Sequence, residues 1–120
     1  MAGAALTILL TSDRHVRALN LSFRGKDGPT NVLSFPSSTG AGAYLGDIAV
    51  AYGVTAKEAK SAGKSLIDHA THLAVHGVLH LLGFDHETVR QAKVMERLET
   101  RILKVFNVAD PYRQEVVSRP

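Results

Sequence analysis

The segment His76-Gly77-Val78-Leu79-His80-Leu81-Leu82-Gly83-Phe84-Asp85-His86 constrains this chain most, because it spaces three imidazoles four and six residues apart around a glycine. On a helix, residues four apart stand about 6 Å above one another on one face, so His76 and His80 can aim at a common point. Gly83 tolerates the positive φ that ends a helix and turns the chain back. That reversal can bring His86 to the same point. Three neutral imidazole nitrogens suit a borderline divalent ion such as zinc, held at roughly 2.0–2.1 Å. Structural zinc sites close all four positions and favour cysteine, and this chain has no cysteine. No fourth ligand stands at metal-binding spacing, so the segment predicts one zinc ion per chain with a coordination position free for chemistry. The flanking Ala74, Val75, Val78, Leu79, Leu81 and Leu82 are apolar. Uncompensated imidazoles would be costly on such a helix, and a bound ion offsets that cost.

Two further histidines lie upstream. His72, one turn before His76, has two readings: contact with the ligand shell or substrate, or a histidine merely packed or exposed on that face. His69 reads as a surface residue. Asp85 either orients a ligand imidazole from behind or helps cap the following helix.

Around this segment the pattern is that of one ordinary domain over residues 1–120, without repeats, linkers or low-complexity runs. Leu6–Leu10 reads as a buried strand; it is too short to span a bilayer and lacks the basic flank of a signal peptide. Asp13–Ser22 reads as a short helix, Val32–Phe35 as a strand stopped by Pro36, Ser37–Ala43 as a small-residue loop, and Tyr44–Ala51 as a third strand. Thr55–Ala62 is helical and ends at Gly63. Ser65 with Asp68 starts the His-bearing helix, predicted from Leu66 to about Leu82. Thr88 with Gln91 is a second capping box, opening a helix with Met95, Leu98, Ile102 and Phe106 on its apolar face. The tail from Val108 reads as short and surface-bound. Without cysteine, a reducing, cytoplasmic setting is the expectation. Net charge is +3, and residues 1–64 carry all of the excess. That permits a polyanionic partner, although a solvated basic surface is the simpler reading.

The histidine spacing also fits the extended zinc signature of metzincin peptidases, H-E-x-x-H-x-x-G-x-x-H, except that Gly77 stands where those enzymes carry their glutamate base. A peptidase of that mechanism would lack its base. The segment more closely resembles the signature of the YbeY family of rRNA-processing endoribonucleases. So do Leu19–Asp27 (LNLSFRGKD), Thr30–Pro36 (TNVLSFP), Leu45-Gly46-Asp47-Ile48 and Asp110-Pro111-Tyr112, in the same order. This resemblance implies an α+β fold: a small mixed sheet packed against helices, with the metal at the end of a central His-bearing helix and a C-terminal helix beside it. It implies metal-dependent cleavage of single-stranded RNA, serving 3′-end maturation of 16S small-subunit rRNA and ribosome quality control, with rRNA and the ribosome as partners and no membrane. Arg24 falls on the family's functionally important arginine, and His76, His80 and His86 on its zinc ligands. Members of the family usually begin with another strand and helix before Leu6–Leu10. Either this lineage dispenses with them or the chain starts at an internal position, and their absence would expose a sheet edge and apolar surface.

The chemistry expected is a zinc ion acting on a phosphate oxygen, with Arg24 as the catalytic cation that holds non-bridging oxygens in its planar fork. On residues alone, a surface salt bridge from Arg24 to Asp27 is an equal reading. Lys26, and Arg14 or Arg17, could track the RNA backbone, although ordinary solvation fits each one singly. No residue announces itself as general base. Two alternatives stand beside the nuclease: a metallopeptidase-like hydrolase, and a non-catalytic ribosome-assembly factor with structural zinc.

Overall fold

A computed structural model describes residues 4–37 and 43–112, so most of the expected Ser37–Ala43 loop lies outside the described residues. Among them the chain order is β1 (Ala5–Thr11), α1 (Asp13–Arg24), β2 (Val32–Pro36), β3 (Tyr44–Ala51), α2 (Tyr52–Ala62), α3 (Leu66–Leu81) and α4 (Val89–Val105).

The run Ile48-Ala49-Val50-Ala51 is at most 4% exposed, and a strand apolar on both sides belongs in the middle of a covered sheet. β3 is that strand: the sheet order is β1-β3-β2, with β1 parallel and β2 antiparallel to it. The α+β class and the mixed sheet are as expected. Alternate side chains serve opposite layers. Leu33, Ala49 and Ala51 pack under Val16 of α1, whereas Ile48 and Val50 pack under Leu73 of α3. A third cluster, with Val75, Leu79, Met95 and Leu103, joins α3 to α4. The layers therefore run α1, sheet, α3, α4.

The helix starts follow local chemistry. Ser12 accepts from the His15 N–H at 3.1 Å and Ser65 from the Asp68 N–H at 3.0 Å. Thr88 and Gln91 form the full reciprocal box, both bonds at 3.1 Å. α2 begins three residues before the expected Thr55, because Asp13 of α1 accepts from the Val54 N–H at 2.9 Å. A cap supplied across the fold cannot be read from nearby sequence.

Three expectations need correction. β1 is not buried: Ile8, Leu9 and Leu10 are 50%, 46% and 52% exposed. Among the described residues β1 pairs on one side only, and α1 lies over β2 and β3 instead. The buried stripe of α4 is Met95, Glu99 and Leu103, flanked by Leu98 and Ile102, while Phe106 is 60% exposed. The helix ends before Phe106; Asn107 takes a φ of 66°, and Val108 turns back onto the core with its N–H on the Leu103 carbonyl. The tail accordingly packs inward at Val108 rather than lying on the surface. No helix among the described residues is long and apolar enough to cross a membrane.

Candidate metal centre

α3 buries Leu73 toward the sheet and Val75 and Leu79 toward α4, which leaves His76 and His80 on a third, half-buried face. Their Nε2 atoms are 3.0 Å apart. Gly83, at φ 99°, ends the helix with its N–H on the His80 carbonyl, and the Phe84 N–H reaches the Leu79 carbonyl. The returning chain delivers His86, and one nitrogen from each of the three rings lies within 4.8 Å of the other two. The predicted convergence is present.

Ring orientation follows from what lies behind each imidazole. His76 Nδ1 is 2.5 Å from Glu99 Oε2, and His80 Nδ1 is 3.0 Å from the Phe84 carbonyl oxygen. A carboxylate and a carbonyl only accept, so both Nδ1 atoms donate and both Nε2 lone pairs face one another. Lone pairs at that separation repel unless a cation takes up both. Two nitrogens on a tetrahedral zinc ion would stand about 3.4 Å apart, so this donor set fits a divalent ion. Burial, reinforced by His76 and then His86, lowers the His80 pKa below 6.5 and favours the neutral, ligating form.

Glu99, which sequence reasoning missed, organises the site from within the protein. Its side chain is wholly buried; Oε1 takes His72 Nε2 at 2.9 Å and the Tyr112 hydroxyl, and Oε2 takes His76. Burial alone would raise its pKa, but the bonds from His72, His76 and Tyr112 outweigh it and hold the carboxyl at about 2. Burial, then Glu99, pushes the Tyr112 phenol well above 10, so it remains a donor. A sequence signal did exist: Glu99 sits midway between Met95 and Leu103 on an apolar stripe, where an unpartnered charge would be prohibitive.

The remaining candidates divide. His72 bonds Glu99 and Tyr112 rather than pointing into the cleft. His69 is not a surface residue; its side chain is 12% exposed and Nε2 meets Glu58 at 2.8 Å. Glu58 also accepts from the Asn31 amide at 3.1 Å, an arrangement not foreseen. Asp85 caps neither α4 nor one of the three rings; it accepts from the His86 N–H at 2.7 Å and so fixes the backbone that carries the third imidazole. Asp27 pairs with Arg17 at 3.0 Å, not with Arg24, whose exposed guanidinium has no ion pair among the described residues. Lys26 is exposed and lies outside the cleft wall.

Arg24, Asn31, Ser34, His76, His80 and His86 line one cleft of about 610 Å³. Gly77 faces the sheet: a Cβ there would lie 3.0 Å from Ile48 and 3.1 Å from Ser34 Oγ. Any side chain at this position would have to shift Ile48 or Ser34 by a few tenths of an ångström, and the glycine itself supplies no general base for the peptidase reading.

Known proteins resemble this chain in sequence and in fold. The family described as Endoribonuclease YbeY matches residues 1–107. A protein named Endoribonuclease YbeY from Rhodopseudomonas palustris (strain ATCC BAA-98 / CGA009) is 53% identical over 116 residues, covering 92% of this chain and 61% of its own length. One of the same name from Chelativorans sp. (strain BNC1) is 52% identical over 114 residues, covering 91% of this chain and 70% of its own. The chain thus spans under two thirds of the first relative. The solution structure of TM1509 from Thermotoga maritima superposes with a TM-score of 0.59 at 23% identity, covering 95% of this chain and 81% of that one, which establishes likeness of fold.

Proposed function

The chain belongs to the YbeY endoribonuclease family, and from that premise we propose that it cuts single-stranded RNA with one zinc ion held by His76, His80 and His86. The observation that carries this reading is the meeting in one cleft of three imidazoles and an arginine that has no ion pair among the described residues. When bound, zinc would supply Lewis acidity toward a phosphate oxygen and lower a water's pKa to about 7.

The protein's own part is positional and electrostatic. His76 and His80 are locked by Glu99 and the Phe84 carbonyl, so little ordering remains when the ion arrives. Arg24 is the proposed catalytic residue. Its fork stays charged at every working pH and can hold two non-bridging oxygens, opposing charge that grows in the transition state. Asp85 keeps His86 in place, and His72 acts through Glu99 on His76. Lys26, outside the cleft, would meet the RNA backbone only beyond the reacting phosphate. We assign the enzyme to the cytoplasm and to 3′-end maturation of small-subunit rRNA and ribosome quality control, as the family resemblance implies.

The test joins metal analysis to an RNA cleavage assay. Wild type should contain one zinc per chain and cut single-stranded RNA; His80→Ala should lose both. Arg24→Ala should keep its zinc and lose about 10²-fold or more in kcat, the scale for removing one preorganised transition-state donor. Zinc-loaded wild type that never cuts RNA would overturn the enzyme reading in favour of a structural-zinc assembly factor.

A further inference from the structure

We infer that the outer face of α4 is a second RNA-binding surface, which holds the sugar–phosphate backbone of a strand leaving the metal cleft. The inference rests on the single-stranded RNA reading above and extends it to a surface outside the cleft.

Lys93, Arg97 and Arg101 follow one another at four-residue spacing, with Lys104 three residues on. All four are exposed and line a groove of about 530 Å³. The eleven helical steps from Lys93 to Lys104 give this ridge a length of about 16 Å. Like charges at such spacing repel and destabilise a helix, whereas ordinary surface helices interleave opposite charges. Relief from carboxylates is slight here: none of the four has an ion pair among the described residues. Asp110 is occupied by the Thr100 hydroxyl at 3.0 Å and the Tyr112 N–H at 2.9 Å, and Glu99 is sequestered among the histidines. Among the described residues, Glu96 is the one acidic side chain of the groove left without such a partner. A polyanion would neutralise the ridge, and a phosphate backbone supplies charge at regular intervals along its length.

Position argues the same way. His76 and His86 border both the main cleft and a smaller depression of about 270 Å³, and Glu96 and Tyr112 border both that depression and the α4 groove. A strand could therefore run from Arg24 past the imidazoles and onto α4 without leaving the surface. Linear charge counting hides this, because residues 65–120 balance seven cations against seven acids. The fold gathers the cations on one face.

The experiment uses zinc-loaded protein and labelled oligouridylates of two lengths, one confined to the cleft and one reaching α4, with binding read by stopped-flow anisotropy before turnover. Arg97→Ala/Arg101→Ala places a strong helix former at two exposed positions. For the long strand, the slope of log K against log salt should fall by about 1.4, at about 0.7 for each phosphate that is no longer neutralised. Short-strand binding should stay unchanged. Arg97→Gln/Arg101→Gln should repeat the result. Identical slopes for variant and wild type on the long strand would overturn the inference, as would loss of binding to anionic lipid vesicles with RNA binding intact. A changed slope in a protein that cuts no RNA would sink the nuclease reading alone.

Discussion

Glu99→Gln exchanges one oxygen for nitrogen at a wholly buried side chain and leaves its volume almost unchanged. In the wild type one carboxylate oxygen receives His72 and Tyr112, and the other receives His76 Nδ1. Glutamine keeps a single acceptor, and the two-donor side claims it. The amide nitrogen then faces His76 Nδ1, which must become an acceptor. The ring proton moves to Nε2, the atom aimed at the ion. Loss of such an outer carboxylate typically costs 10–100-fold in metal affinity, about 1–3 kcal/mol. Metal-free stability changes as well. The gap between the ordinary 4.5 and about 2 for Glu99 corresponds to about 3 kcal/mol. Its folded value lies below its unfolded one, so this contribution is complete above pH 4.5 and fades as pH falls toward 2. Competition against a chromogenic zinc chelator reads the affinity, and urea unfolding in chelator across that pH range reads the stability. Wild type should show the acid loss and Glu99→Gln should not. A variant that binds zinc as tightly as wild type would refute the tautomer argument.

Other outcomes follow from the same geometry. Tyr112→Phe removes one of three donors to Glu99, and zinc affinity should fall by less than in Glu99→Gln when measured by the same competition. Gly77→Ala presses a Cβ to 3.0 Å from Ile48 and 3.1 Å from Ser34 Oγ, an overpacking cost of about 1–3 kcal/mol set against about 1 kcal/mol of helix propensity gained, so urea unfolding should show a net loss; a gain in stability would mean that Ile48 and Ser34 yield. Because His80 titrates below 6.5, its proton should begin to compete with zinc only under that pH. Affinity that already falls from pH 8 to 7 would contradict this.

Much of the site was legible because its geometry is local. His76, His80, Gly83 and His86 lie within eleven residues, and helical periodicity plus one positive φ suffices to bring them together. Strand β3 and both Ser65 and Thr88 caps were likewise readable from neighbouring residues. What escaped was held by long-range partners. Glu99 reaches back 23 residues to His76, and His69 is buried by Glu58, eleven residues earlier and on another helix. The exposure of β1 is hidden from the sequence for the same reason: an apolar run states what a strand would accept on its faces, not whether a neighbour is there. The cationic ridge of α4 is the counterpart on the surface, invisible to a count that averages over sequence.

Gly77 links the absence of a peptidase general base to the shape of the cleft. It lies on the side of α3 that meets the sheet, with Ser34 Oγ bonded to its carbonyl at 3.2 Å and no room for a Cβ beside Ile48. The missing side chain lets the helix settle against β2 and β3. β2 carries Ser34 and follows directly on Asn31, and both line the wall opposite the imidazoles. A bulkier residue would push α3 and its histidines away from β2 and widen the cleft between them. The glycine that supplies no general base thus also governs how close the three imidazoles come to β2. A single residue type answers both demands because only glycine has no Cβ.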